Sequence, residues 1–333
     1  MARRFVIKAL VFSGIAAGLG LALQWALVRG LTHYRVSARG VWNRVVQGKV
    51  NADIIVCGSS RALVHFDPAV IAAETGLSTF NLGRNGTFVD LQLPFLKTYL
   101  AHNKTPVCIV QSLDNSCFKT TRQVYDPEQY IPYLNQPALY EKLVSIDPRY
   151  ERMRRFPLFG VVEQRLLLTS LAAILGIYPK EDHFNGFRPT ARVWTGEFER
   201  WKAQHPSGVE SPIEENGVKV FRQLVECSVK SGAKVVLVYS PEYREAQPLI
   251  TNRQQVLGKI RDIASEVGVE FWDFSDDPIC ADRSLFYNSQ HLNRRGADLF
   301  SAKFGQRLKC VCDAKSLVTA LSPAAKNQTR RSN

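Results

Sequence analysis

Five short runs of β-forming residues, at 53–57, 78–82, 106–111, 234–239 and 269–274, constrain the fold of this chain more than any other feature. Helical patterns lie between them at about 68–75, 88–102 and 250–266, and a last one follows at about 294–309. Strands that alternate with helices pair in parallel, because parallel neighbours need a long crossover and a helix supplies it. The expectation is therefore an α/β domain with a mainly parallel five-stranded sheet covered by helices on both faces. Asp67-Pro68 reads as a helix start, with Asp as the cap and Pro at the first helical position, where its missing N–H has no cost. The rhythm breaks between about 116 and 230. That interval has helical patches at 137–146, 161–176 and 213–231 and an aromatic stretch containing Tyr178, Phe184, Phe187, Trp194 and Trp201. An insertion of this size is either a helical subdomain that only packs or a cover over the strand ends that shapes a site.

The N-terminus is different in kind. Ala9 to Val28 is uncharged and rich in Leu, Ala and Gly, and about 20 such residues match the hydrocarbon thickness of a bilayer. We read residues 1–8 as a short cytoplasmic N-terminus, 9–28 as a transmembrane anchor and 29–50 as a basic connector with helical character from Val41 to Val46. The folded domain spans 51–312, and 313–333 is a polar, basic tail expected to be disordered. A cleaved signal peptide competes with the anchor, since Gly20-Leu21-Ala22 offers small residues for cleavage; the length of the apolar run favours the anchor. Arg3, Arg4 and Lys8 precede the run and Arg29, Arg35, Arg39 and Arg44 follow it, so flanking charge does not set the orientation. Long C-terminal domains cross membranes largely regardless of such charge, which leaves an exported domain open.

The formal net charge is +13. No nucleic-acid-binding motif accompanies it, so anionic lipid headgroups or polyanionic envelope polymers are the expected partners, and nucleic acid is not. Seven cysteines are scattered with no Cys-x-x-Cys pair, which argues against a zinc ribbon or a thioredoxin-like site. Cys57 and Cys108 fall in strand-like runs and read as small buried hydrophobes. In an exported domain, Cys280 has Cys310 or Cys312 as a candidate disulfide partner. No ligand-spaced cluster of His, Cys and Asp stands out, so neither a metal nor an organic cofactor is expected.

Four segments carry the candidate chemistry. Gly58-Ser59-Ser60-Arg61 follows the first strand directly, and a glycine there lets the chain turn sharply and present a serine hydroxyl. On its own this is either a nucleophile or an ordinary serine-rich turn. Asn81-Leu82-Gly83-Arg84-Asn85-Gly86 follows the second strand, Ser112-Leu113-Asp114-Asn115 ends the third, and Asn288-Ser289-Gln290-His291-Leu292-Asn293 precedes the last helix. The C-terminal edge of one parallel sheet would gather all four, and acyl transfer needs a nucleophile, a base and oxyanion donors on one edge.

In that order the motifs resemble the SGNH/GDSL hydrolase superfamily, over roughly residues 50–115 and 232–310, and in particular its membrane-anchored members of bacterial envelopes that work beside membrane-bound O-acyltransferases. The resemblance implies a flavodoxin-like three-layer α/β/α fold. It places the nucleophile at Ser60, with Ser59 where the motif usually has Asp, and the general base at His291. The oxyanion donors would be the Ser60 and Gly86 amides and the Asn115 side chain. The block around Asn115 lacks its usual glycine, which leaves Asp114 as the alternative residue facing the site. It implies action on acyl esters, most specifically acetyl esters, of an envelope glycan, with a membrane O-acyltransferase as a partner. The family's Asp three residues before the histidine is here Asn288, which leaves three readings: a Ser-His dyad helped by Asn288, an acid supplied by Asp276, Asp277 or Asp282, or a weak or inactive protein that binds glycan or scaffolds the acyltransferase. Arg61 either contacts an anionic part of the substrate or caps the helix it opens. Of six histidines (33, 65, 102, 183, 205 and 291), only His291 sits in a motif with a mechanism, and the rest read as structural or surface residues.

Overall fold

The computed structural model describes residues 2–160 and 164–312. The chain opens with α1 (Ala2–His33) and α2 (Ser37–Val46). The sheet region then runs β1 (Ile54–Cys57), α3 (Ser60–His65), α4 (Pro68–Thr75), β2 (Thr79–Asn81), α5 (Val89–His102) and β3 (Cys108–Leu113). The interval before the next strand holds α6 (Pro137–Ile146), α7 (Arg149–Arg155), α8 (Gln164–Ile174), α9 (Glu197–Gln204) and α10 (Glu215–Lys230). The chain continues with β4 (Lys234–Tyr239), α11 (Arg253–Val267), β5 (Glu270–Asp273), the small strands β6 (Phe286–Asn288) and β7 (His291–Leu292), and α12 (Arg294–Cys312). All five expected strands and the four helices expected around them are present.

The main sheet has the order β2-β1-β3-β4-β5, and every pairing in it is parallel. Side chains alternate across it with the period of two that a strand imposes. Ile55, Ile109 and Leu237 point into one apolar cluster with α2, α5, α10 and α11. Ile54, Val56, Val110, Val236 and Val238 point into a second cluster with α4 and α12. Burial on both faces explains why these strands read as unbroken apolar runs. The direction of winding reverses between β1 and β3, and a reversal of this kind opens a crevice beyond the strand ends. Asp67 caps α4 as expected, its side chain accepting from the Ala69 amide.

Three features differ from the sequence reading. The connector is mostly helix: α1 continues to His33 and α2 begins at Ser37. Leu27 and Leu31 are fully buried with Ile131 and Leu166, so tertiary contacts extend the helix beyond its apolar run. The insertion ends before α10, which buries Phe221, Leu224 and Val225 against the sheet core and is the crossover from β3 to β4. Cys280 and Cys310 are both free thiols, and the Cys280 thiol, fully buried, donates to the Phe274 carbonyl, so the Cys280–Cys310 disulfide is not formed. The Cys312 side chain and the tail from 313 lie outside the described residues. α1 is long and apolar enough to cross a membrane, a property shared by anchors and signal sequences.

Candidate active site

Gly58 turns the chain from β1 into α3 at φ +143°, a region that side chains rarely enter. A Cβ at that position would lie 2.7 Å from the Ser112 carbonyl oxygen of the neighbouring strand. The turn can therefore exist only with glycine, and it sets Ser60 at the start of α3 over the end of the sheet. Ser59 does not cap that helix. Its hydroxyl donates instead to Asp114 Oδ2 at 2.7 Å, tying the turn to the end of β3.

β6 and β7 form a small antiparallel pair that presents His291 to this turn. His291 Nε2 lies 2.8 Å from Ser60 Oγ, within reach for proton transfer. On its other side, His291 Nδ1 lies 2.9 Å from Asn288 Oδ1. The same oxygen accepts from the amides of Gln290 at 3.1 Å and His291 at 3.0 Å. Those amides can only donate, so the Asn288 side chain must turn its carbonyl oxygen, and not its NH₂, toward the ring. Nδ1 therefore carries the proton and Nε2 is free to accept from Ser60. When Asn replaces Asp in a serine protease triad, the damage comes largely from the wrong tautomer; here two backbone donors remove that failure. Asp276, Asp277 and Asp282 do not reach the ring: Asp277 and Asp282 cap short turns, and no bond joins Asp276 to His291.

Burial and the Arg61 charge hold the His291 imidazolium down, to about 4. The ring is neutral, and so a competent base, well into the acid range. Tyr287 stacks on it at 5.3 Å, and His65 meets it edge-on at 6.2 Å between ring centroids. His65 is fully buried. Its Nε2 accepts from the Leu292 amide and its Nδ1 meets Ser240 Oγ, so it stitches α3 to β7 and holds His291 opposite Ser60. Burial and Arg61 keep His65 neutral as well. No motif signals this role, which arises only when residues 227 positions apart meet.

A cavity of about 150 Å³ opens beside Ser60, lined by Ser59, Gly86, Gln92, Ser112, Asp114 and Phe221 among others. Neither the Ser60 nor the Gly86 amide finds an acceptor among the described residues, as oxyanion donors require. Gly86 has φ +64°, and a Cβ there would press on the Tyr125 ring at 2.5 Å. Asn81, the first residue of the same motif, is structural: its side chain holds the Ala62 and Phe66 carbonyls and the Gly83 amide.

Two expected residues are placed differently. Asn115 lines a neighbouring cavity of about 280 Å³, with Glu197, Phe198, Trp201 and Asn288, and not the one at Ser60. The chain turns tightly after Asp114, whose side chain accepts from the Ser116 amide, and this carries Asn115 past the Ser60 cavity. The Ser112 hydroxyl, buried and without a partner, lines the Ser60 cavity in its stead. Arg61 is 2% exposed and lines neither cavity. Its guanidinium is held by the Ser240 carbonyl, by Glu242 at 3.5 Å and over the Tyr239 ring at 4.6 Å, so it neither caps α3 nor reaches a ligand. It acts on the site through its charge. α9, from the insertion, supplies one wall of the second cavity.

Glu181, Asp182 and His183 bring three potential metal-ligating atoms together, which the sequence reading did not anticipate. Glu181 Oε1 accepts from the Ser37, Asp182 and His183 amides, and Asp182 pairs with His183 Nδ1, while His183 Nε2 is buried without a partner. The cluster ties the insertion to the start of α2.

No family model matches the sequence, and no curated relative matches it. Seventeen chains of solved structures match. One, a crystal structure, is 11% identical and superposes with a TM-score of 0.34, covering 79% of this chain and 99% of that one. A likeness at that level carries no argument about chemistry.

Proposed function

We propose that the protein is a serine-dependent esterase or O-acyltransferase of the SGNH type, built on a flavodoxin-like three-layer fold. The observation that carries this reading is the relay Ser60 Oγ–His291 Nε2 at 2.8 Å and His291 Nδ1–Asn288 Oδ1 at 2.9 Å, beside a cavity with two unpaired amides. Ser60 Oγ attacks an ester carbonyl and its proton passes to His291 Nε2. The oxyanion draws on the Ser60 and Gly86 amides and the Ser112 hydroxyl. The imidazolium returns the proton to the leaving alkoxide as the ester C–O bond breaks, leaving an acyl-enzyme. Water or a sugar hydroxyl then attacks it, giving up its proton to His291 in turn. A cavity of about 150 Å³ suits a short acyl group such as acetyl. The adjoining cavity, with Trp201 and Phe198 beside Glu197 and Asn115, suits the sugar that carries it.

The setting of this reading is the bacterial inner membrane. α1 is its single span, the folded domain faces the exterior, the substrate is an acylated envelope glycan and a membrane-bound O-acyltransferase is its partner. A second reading, a glycan-binding or scaffolding protein without turnover, is favoured by the Asp114 carboxylate in the Ser60 cavity and by the neutral residue behind His291. Fluorophosphonate labelling of the full chain in detergent separates the two. Labelling lost in Ser60→Ala and strongly slowed in His291→Ala, with turnover of acetyl esters by the parent, supports the enzyme. Labelling that persists in Ser60→Ala overturns the nucleophile, and an inert parent favours the binding protein.

A further inference from the structure

The geometry points to a binding site for anionic phospholipid headgroups on α7, where α1 leaves the bilayer. The apolar stretch of α1 is exposed from Ala9 to Leu23, apart from the half-buried Gly20. Its first polar contact with the domain is Gln24 Nε2, which donates to the Arg155 carbonyl at 3.4 Å, one turn before the apolar run ends at Val28. A turn later, Leu27 and Leu31 are buried, and Gly30 lies so close to α8 that a Cβ would meet the Ser170 carbonyl oxygen at 2.1 Å. The C-terminal end of α7 is thereby fixed at the depth where the run of apolar residues meets water. This placement rests on α1 staying in the membrane.

α7 is built for that boundary. It carries four arginines, at 149, 152, 154 and 155. Asp147 pairs with Arg149 at 2.8 Å and Glu151 with Arg155 at 3.9 Å, while Arg154 lies over the Tyr140 ring. No carboxylate pairs with Arg152 among the described residues. Arg149, Arg152 and Arg155 line a cavity of about 400 Å³ with Pro148, Glu151 and Phe156, and Phe156 is 49% exposed. Guanidinium groups present paired N–H donors that match phosphate oxygens, and an exposed aromatic beside them suits the boundary between headgroup and acyl chain. A solvated basic face would need neither a cavity nor an outward phenylalanine at the membrane surface. Headgroup binding would fix the tilt of the domain, which one span alone leaves free.

The test uses the full chain in nanodiscs of phosphatidylcholine, alone or mixed with phosphatidylglycerol, read by amide hydrogen exchange. Phosphatidylglycerol is expected to slow exchange across 148–158. Attraction to an anionic surface amounts to about fivefold per arginine, so Arg152→Gln should reduce this protection about fivefold, and the triple variant Arg149→Gln/Arg152→Gln/Arg155→Gln should abolish it. Unchanged exchange in β1 and β3 shows that each variant is folded; if the triple variant is not, Arg152→Gln, which breaks no ion pair, decides alone. Equal exchange in the two lipids, or protection left undiminished by Arg152→Gln, overturns the site. So does equal protection from inorganic phosphate added to phosphatidylcholine discs, which would make the ligand a free anion. A chain that fails to insert overturns it too, since no bilayer would then lie beside α7.

Discussion

Asn288 decides the protonation pattern of His291. Because the Gln290 and His291 amides already donate to its Oδ1, the ring proton must sit on Nδ1, and the lone pair on Nε2 faces Ser60. A neutral amide orients the ring without stabilising the imidazolium that the proposed attack by Ser60 would form. Burial and Arg61 disfavour that cation further, so the acid limb of kcat/KM on a small acetyl ester is expected near pH 4, below the ordinary histidine value of about 6.5. In Asn288→Asp one carboxylate oxygen accepts the same three bonds and adds a charge. The limb should then move up toward 6.5, with kcat rising about tenfold. A limb that stays put in Asn288→Asp would show that His291 is not the titrating base. Ser112→Ala should lower kcat about a hundredfold with little change in KM, as expected for loss of one oxyanion donor. Its thermal midpoint should not fall, because the buried hydroxyl has no partner to lose; an unchanged kcat would remove Ser112 from the site. The places of Ser60 and His291 at one site were legible because each sits in a short motif. Those of Ser112 and His65 were not, because one depends on an absent partner and the other on contacts far along the chain.

At the scale of elements, the turn between β1 and α3 positions Ser60 and leaves little room for a side chain at Gly58. Gly58→Ala would force a Cβ to 2.7 Å from the Ser112 carbonyl and 2.9 Å from Ala62 Cβ, at a φ that alanine rarely adopts. Strain and overlap together should cost about 2–4 kcal/mol, seen as a lower urea midpoint with an unchanged m-value. A midpoint equal to the parent's would mean that the turn relaxes more freely than its packing indicates. The next helix, α4, was readable from its cap, Asp67 before Pro68, whereas the short α3 that follows the turn was not among the expected helices. The crossover α10 was grouped with the insertion because an amphipathic helix that covers a sheet and one that packs in a subdomain carry the same apolar pattern; its contacts with the core assign it. The end of α1 was read as connector for the converse reason: residues 29–33 are too polar to look like span and are held helical by packing against α8.

Across the whole molecule, a buried ion network joins elements that are distant in sequence. Glu242 lies between Arg61 of α3 and Arg253 of α11, at 3.5 and 3.0 Å, and accepts from the Tyr239 hydroxyl at the end of β4. Removing its charge leaves two buried guanidinium groups uncompensated. Glu242→Gln should destabilise the domain by about 3–5 kcal/mol in denaturant titration, and a loss under 1 kcal/mol would show that water reaches the network. The folded-state histidines add a pH term. His65 and His291 are both held below the unfolded value, so each contributes fully above about pH 6.5 and less as pH falls through that value, where the unfolded chain takes up the proton first.

The sequence by itself determined the parallel α/β sheet and the long apolar N-terminal helix, and its resemblance to the SGNH/GDSL superfamily implied the pairing of Ser60 with His291. These follow from local patterns: β-formers in runs, a charge-free stretch of 20 residues, and short motifs on one sheet edge. Only the tertiary structure decided that Arg61 is buried, that Asn115 lines the neighbouring cavity, and that Asn288 presents its oxygen to the ring. Each of these depends on which groups meet in space, because hydrogen-bond donors and charges are satisfied by neighbours that the order of residues does not reveal.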